Sequence, residues 1–351
     1  MLRSSSTNGA PLFSRRSFAA LLGAAATAGL TAACSKRASP AASSPNSEAG
    51  FPVTITHAFG ETTITKKPER VATLAWANHE VPLALGIVPV GISKTTWGDD
   101  DTDGMLPWVK AKVDELGGPT PVIFDETDGT PFEAVSKTNP DVILASYSGM
   151  SKEDYAKLSR FAAVVPYPKT PWGTTMKQMI QINAQALGRS ASGEELIAKL
   201  EQQVKDAFAK HPTLLGKKVA WAFFKAEDLS KITIYTAHDP RASFLVEAGM
   251  ANPSIIEEQT KATKTFSAEI SSERPEVFDD VDAFVTYGSK DNAPLVAAMK
   301  AHPLVGRIKA VAQNRLVFLG NGPLAAGANP SPLSIPATLS QYCAKLAEGL
   351  A

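Results

Sequence analysis

The feature that most constrains this chain is a twofold alternation of short apolar runs with helix-patterned stretches, the two series separated by one long helical segment. After Pro68, apolar runs at 70–75, 88–92, 142–145 and 164–167 alternate with helical patterns at 79–85, 131–138 and 152–161. The alternation resumes with strands at 219–224, 232–235, 283–287 and 316–319 and helices at 242–248, 273–278, 295–301 and 335–347. Strands that alternate with helices bury both faces of a sheet, which predicts a mostly parallel sheet in each half. Between the halves, residues 172–211 read as helical, broken at Gly188-Arg189-Ser190-Ala191-Ser192-Gly193. Leu196, Ile197, Leu200, Val204 and Phe208 recur there at helical spacing. Residues 192–210 as one helix span about 28 Å, enough to bridge two lobes.

The expected fold class is therefore α/β: two Rossmann-like lobes with mostly parallel sheets joined by a single long helix, and a ligand cleft between the lobes where the strand-end loops meet. The expected boundaries are an N-terminal lobe at 51–190, a linking helix at 191–211 and a C-terminal lobe at 212–351. Which part of 172–211 forms the bridge stays open. A β-hairpin, 53–56 paired with 62–65 around Gly60, opens the first lobe.

Ahead of the lobes, Arg15-Arg16 precedes an uncharged Ala- and Leu-rich run, 18–33, that ends in Thr31-Ala32-Ala33-Cys34. A charged stretch before an apolar one reads as an export signal. The paired arginines resemble a twin-arginine signal. The small residues before Cys34 resemble a lipobox, with Thr31 standing where Leu is preferred. Residues 1–33 are thus expected to be a signal peptide, with lipidation at Cys34 and a flexible Ser/Pro/Ala-rich tether over 34–50. The expected location is the outer face of a bacterial plasma membrane, or the periplasm, lipid-anchored through Cys34.

Charge narrows the partners. The full chain balances 35 Lys and Arg against 35 Asp and Glu, and removing the signal takes Arg3, Arg15 and Arg16 but no acid. No basic footprint for nucleic acid remains. Cys343, among apolar positions of a C-terminal helix, reads as a buried inert thiol, and no thiol catalyst or zinc site has a partner cysteine.

Several motifs together resemble the iron-siderophore-binding proteins of ABC importers. They are Pro68-Glu69-Arg70-Val71-Ala72-Thr73-Leu74 with Leu83-Ala84-Leu85-Gly86-Ile87-Val88-Pro89-Val90-Gly91-Ile92, then Phe132-Glu133-Ala134-Val135 with Asn139-Pro140-Asp141-Val142, and Ile270-Ser271-Ser272-Glu273. The resemblance covers the chain from about Phe51 onward. It implies a two-lobed, helix-linked receptor, a monomer without cofactor or catalytic residues, that carries a ferric siderophore to a membrane permease. It also implies that Glu133 and Glu273, one per lobe, dock against the permease; a helix-start acid favoured by the helix dipole is the plainer reading of each.

A ferric siderophore already wraps its iron in oxygens, so its receptor needs aromatic walls and a few donors in place of metal ligands. Strand-end loops supply Trp76, Trp97, Tyr147, Trp172, Tyr235, Arg241 and Tyr287 as candidate ligand-binding residues. Trp97, in a polar loop, and Tyr147, between two serines, favour ligand contact. Trp76 and Trp172 are open between contact and packing, and Arg241 between a forked donor and a surface arginine. Trp221 reads as core and Trp108 as a helix-start packing residue. Hydroxamate-binding relatives often place an arginine where this chain has Asp125-Glu126-Thr127-Asp128, which weakens a hydroxamate assignment.

Haem, through His79, His238 or Tyr147, and cobalamin remain alternative ligands. An exported hydrolase is a distant alternative, since no Gly-x-Ser-x-Gly, Walker or His-Glu-x-x-His motif is present. The Asp99-Asp100-Asp101 run reads as a solvated loop.

Overall fold

The structure is a computed structural model that describes residues 50–351. The export signal, Cys34 and nearly all of the tether lie outside the described residues. Among the described residues no helix is long and apolar enough to cross a membrane.

A hairpin of β1 (Val53–His57) and β2 (Gly60–Ile64) opens the fold and packs Ile55 and Ile64 inward. The first sheet follows: β3 (Val71–Thr73), β4 (Gly91–Ser93), β5 (Val122–Phe124), β6 (Val142–Ala145) and β7 (Ala163–Pro166), all parallel, in the order β5-β4-β3-β6-β7. Its crossovers contain α1 (Glu80–Ala84), α2 (Pro107–Leu116), α3 (Phe132–Lys137) and α4 (Lys152–Leu158). Strand residues alternate between two cores, Val71, Val142, Leu144 and Val165 on one face and Ala72, Ile143, Ala145 and Val164 on the other. Period-two alternation with both faces apolar is what a buried parallel sheet requires. The chain order reverses between β3 and β6, so the crevice beyond their C-terminal ends is where a ligand is expected.

Helix α5 (Met176–Ala186) begins with a capping box in which Thr175 and Gln178 satisfy each other's backbone N–H. Helix α6 (Ser190–Ala209) then runs 20 residues, about 30 Å, and buries Ile197, Leu200 and Phe208. These residues join a continuous core that also holds Val81 and Ile180 of the first lobe and Val219, Trp221 and Val285 of the second.

The second sheet contains β8 (Val219–Lys225), β9 (Asp228–Tyr235), β10 (Ser267–Ser271), β11 (Ala283–Thr286) and β12 (Leu316–Phe318), in the order β10-β9-β8-β11-β12. β8, β11 and β12 pair in parallel, and β9 is antiparallel to both of its neighbours, β8 and β10. This sheet is mixed where the sequence suggested a mostly parallel one, because β8 and β9 form a hairpin across a two-residue turn. Around it lie α7 (Pro240–Glu247), α8 (Ser254–Ala262), α9 (Ala293–Ala301), α10 (Lys309–Ala312), α11 (Pro323–Gly327) and α12 (Ser334–Leu350). The helix expected at 273–278 is a single 3-10 turn, Pro275–Phe278, which Pro275 opens. Cys343 is fully buried in α12, and burial pushes its thiol up to about 12.

Candidate functional site

The site is organised by a buried asparagine. Asn78 Nδ2 donates to the carbonyls of Leu74 and Tyr147 at 2.8 and 2.9 Å, while its Oδ1 accepts from Ser146 Oγ and the Tyr147 N–H. It thereby ties the loop after β3 to the loop after β6, at the reversal point of the sheet. Ala75 and Ala77, after β3, hold positive φ at 60° and 59°, as does Trp172, after β7, at 57°. Each L-residue there costs about 1–2 kcal/mol, a local strain that surrounding contacts must hold in place. The Glu126 carboxylate is one such contact: it accepts from the Ala75 N–H at 3.0 Å and from Ser93 Oγ.

These loops enclose a cavity of about 360 Å³. Trp76 and Trp172 form apolar walls, and His79, Glu80, Lys94, Glu126 and Asp154 are the titratable groups that line it. Trp172 crosses its neighbour Tyr147 edge-on, with ring centroids 5.5 Å apart. It lies against the bare backbone of Gly149, where a Cβ would come within 2.4 Å of the indole nitrogen. Burial pushes the Tyr147 phenol upward, so its hydroxyl stays protonated; it accepts from Asn329 Nδ2 at 3.1 Å. Burial also raises the Glu126 carboxyl and holds the His79 imidazole down at about 4, keeping the ring neutral.

In the second lobe, Asp239 caps α7 by accepting the Arg241 N–H at 2.8 Å and also grips the Arg241 guanidinium through both carboxylate oxygens, at 2.8 and 2.6 Å. Arg241 donates again to the Tyr287 hydroxyl and lies over the Tyr235 ring, 4.1 Å from its centroid. Trp221, fully buried, sits beneath with centroids 6.1 Å from Tyr235 and 5.3 Å from Tyr287. The lobes meet here. Trp97 of the first packs edge-on against Tyr287 of the second at 4.8 Å, and Gly98 lies so near α11 that a Cβ would stand 2.5 Å from Ala326 Cβ.

All seven residues singled out from the sequence thus lie at the cavity or the lobe junction beside it. Trp76 and Trp172 line the cavity; Trp97, Tyr147, Tyr235, Arg241 and Tyr287 form the junction. Glu133 and Glu273 are exposed, one near the start of α3 and paired with Lys137, the other in the turn after β10. His238 turns its Nε2 to the carbonyls of Thr260 and Thr263, so that nitrogen donates within the protein. The carboxylates of Asp99, Asp101 and Asp103 converge within 4.8 Å of one another, and all three accept from backbone N–H groups of their own loop. Sequence reasoning missed Asn78, Glu80, Glu126 and Asp239. A polar residue just past a strand end was the available signal for Asn78, but long-range partners define the others.

Comparison with known proteins identifies the family of this fold. Residues 71–322 match the protein family described as periplasmic binding protein. The probable siderophore-binding lipoprotein YfiY of Bacillus subtilis is 30% identical over 257 residues, covering 72% of this chain and 74% of that protein. The crystal structure of Streptococcus pneumoniae TIGR4 PiaA in complex with ferrichrome superposes with a TM-score of 0.81 at 42% identity, covering 85% of this chain and 98% of that one. A periplasmic solute binding protein of Mycobacterium smegmatis superposes with a TM-score of 0.67 at 26% identity, covering 85% and 99%.

Proposed function

Because this chain belongs to the periplasmic binding protein family, we propose that it captures a ferric siderophore between its lobes and delivers it to the permease of an ABC importer, without catalysing a reaction. The observation that carries this is the aromatic lining of a first-lobe cavity, Trp76 and Trp172, beside an aromatic lobe junction, Trp97, Tyr147, Tyr235 and Tyr287, that holds the Asp239–Arg241 pair: flat apolar walls with few donors suit a bulky chelate whose iron is already coordinated. Similarity to a siderophore-binding lipoprotein and to a ferrichrome complex supports the same reading. Haem ligation through His238 is disfavoured because its Nε2 is occupied.

In this reading Arg15-Arg16 directs export and a lipid on Cys34 holds the mature protein at the membrane. A short tether keeps it at high effective concentration near its permease, so modest docking affinity suffices. Titration of the mature protein with ferric hydroxamate, ferric catecholate, ferric carboxylate, haem and cobalamin tests the ligand class. Stoichiometric quenching of tryptophan fluorescence by a ferric siderophore is expected, whereas binding of haem or cobalamin alone would overturn the assignment.

Glu133 and Glu273 are the proposed docking residues, one exposed carboxylate on each lobe. The double variant Glu133→Ala, Glu273→Ala is expected to bind ligand normally and to reduce cellular uptake at least tenfold. Full uptake by this variant would remove the docking role.

A further inference from the structure

We propose that Glu126, helped by Asp154, makes the cavity select its chelate by charge, admitting neutral or cationic ferric complexes and turning away anionic ones. The inference rests on the siderophore-receptor reading above and adds to it which complexes the site accepts.

The cations around the site are already neutralised. Lys94 Nζ, on the cavity wall, is paired with Asp125 at 2.7 Å. Arg241 is held by both oxygens of Asp239. His79 is neutral. Glu80 is turned into the protein, where Trp108, Ser331 and Leu333 donate to it. What remains facing the ligand is carboxylate. Glu126 and Asp154 line the same cavity, and neither has a cation within ion-pair distance among the described residues. Burial raises the Glu126 carboxyl; its donors, the Ala75 N–H and the Ser93 hydroxyl, oppose that shift and favour its anion without cancelling its charge.

Ferric complexes differ in the quantity this field reads. Three hydroxamates cancel the charge of the ferric ion, and a pendant amine makes such a complex a cation. Three catecholates leave a trianion, and citrate-type carboxylates also leave net negative charge. An anionic complex entering a partly desolvated site beside an unpaired carboxylate meets repulsion that water screens poorly. Placing like charge against the wrong ligand is a common source of specificity. Within the acidic segment 125–128 it is Glu126 that lines the cavity and shifts discrimination toward less negative ligands.

The test is the ratio of affinities for two probes, a ferric tris-catecholate and a ferric tris-hydroxamate, measured by tryptophan quenching. Glu126→Gln keeps an oxygen to accept from Ala75 and Ser93 but removes the charge. It is expected to raise the catecholate-to-hydroxamate affinity ratio at least tenfold, equivalent to about 1.4 kcal/mol. Asp154→Asn should move the ratio the same way by a smaller factor, and provides a second reading if the Gln variant folds poorly. Asp128→Asn, exposed on the same loop and outside the cavity, should leave the ratio within twofold. An unchanged ratio in both cavity variants, an equal shift in Asp128→Asn, or an unmodified protein that binds the trianion as tightly as the neutral complex would each overturn the charge filter alone. An unmodified protein that binds neither probe would overturn the receptor reading along with it.

Discussion

Arg241→Ala is expected to weaken ferric-chelate binding by about ten- to a hundredfold and to lower folding stability by about 3–5 kcal/mol. The first figure follows from losing a charged donor at the lobe junction, since hydrogen bonds to charged groups contribute about 1.5–3 kcal/mol. The second follows from Asp239, which is 1% exposed and would be left as a buried carboxylate without its partner. Asp239→Asn separates the two effects. Asparagine still caps α7 through its side-chain oxygen, so the double variant Asp239→Asn, Arg241→Ala is expected to recover most of the stability and none of the affinity. Chemical denaturation reads the first quantity and fluorescence titration the second. Normal binding by Arg241→Ala would reduce the guanidinium to a structural role, and full recovery of binding in the double variant would do the same.

Glu80→Ala should cost at least about 3 kcal/mol and loosen one lobe from the other. Glu80 is 1% exposed in α1 of the first lobe. One of its oxygens accepts from Trp108 Nε1 at 2.8 Å, and the other accepts from Ser331 Oγ and the Leu333 N–H, in the segment that enters α12. Alanine leaves those three donors without an acceptor, each costing about 1–3 kcal/mol where water cannot reach. Because α12 packs on the second sheet and on α6, the loss falls on the connection between lobes as much as on either lobe. Denaturant unfolding should show a lower midpoint, and limited proteolysis should cut faster near residue 330. A midpoint within experimental error of the unmodified protein would mean that the Glu80 contacts do not hold the lobes together. Glu80→Gln keeps one acceptor but sets an amide N–H against a donor, so an intermediate loss is expected.

Local pattern made much of the molecule legible. Runs at 142–145 and 164–167 were readable as strands because apolar β-branched residues in a short stretch suit a sheet buried on both faces. The apolar stripe of α6 was readable because helical spacing of Ile197, Leu200 and Phe208 leaves few other arrangements. Strand β5 was not readable: it is three residues long, and Pro121 precedes it. The β8–β9 hairpin was missed for a different reason. Its turn residues, Ala226 and Glu227, lack the Gly, Asn or Asp that usually mark so tight a connection, so the antiparallel pairing had no local signature.

The site divides in the same way. The sequence by itself placed aromatic residues and one arginine on strand-end loops, because strand ends are visible in hydrophobic pattern and those loops converge in any fold of this class. It could not supply their partners. Tyr147 meets Asn329 across 182 positions, and Glu80 meets Ser331 across 251. Glu126 looked like one acid in a polar loop until the fold set it against the Ala75 N–H and the cavity, and Arg241 looked unattached until Asp239 and Tyr287 closed around it. Hydrophobic periodicity is a property of neighbouring residues, so the sequence carries it openly. The charge a ligand meets depends on which polar groups the packed lobes pair and which they leave facing the cleft, and only the tertiary structure decides that.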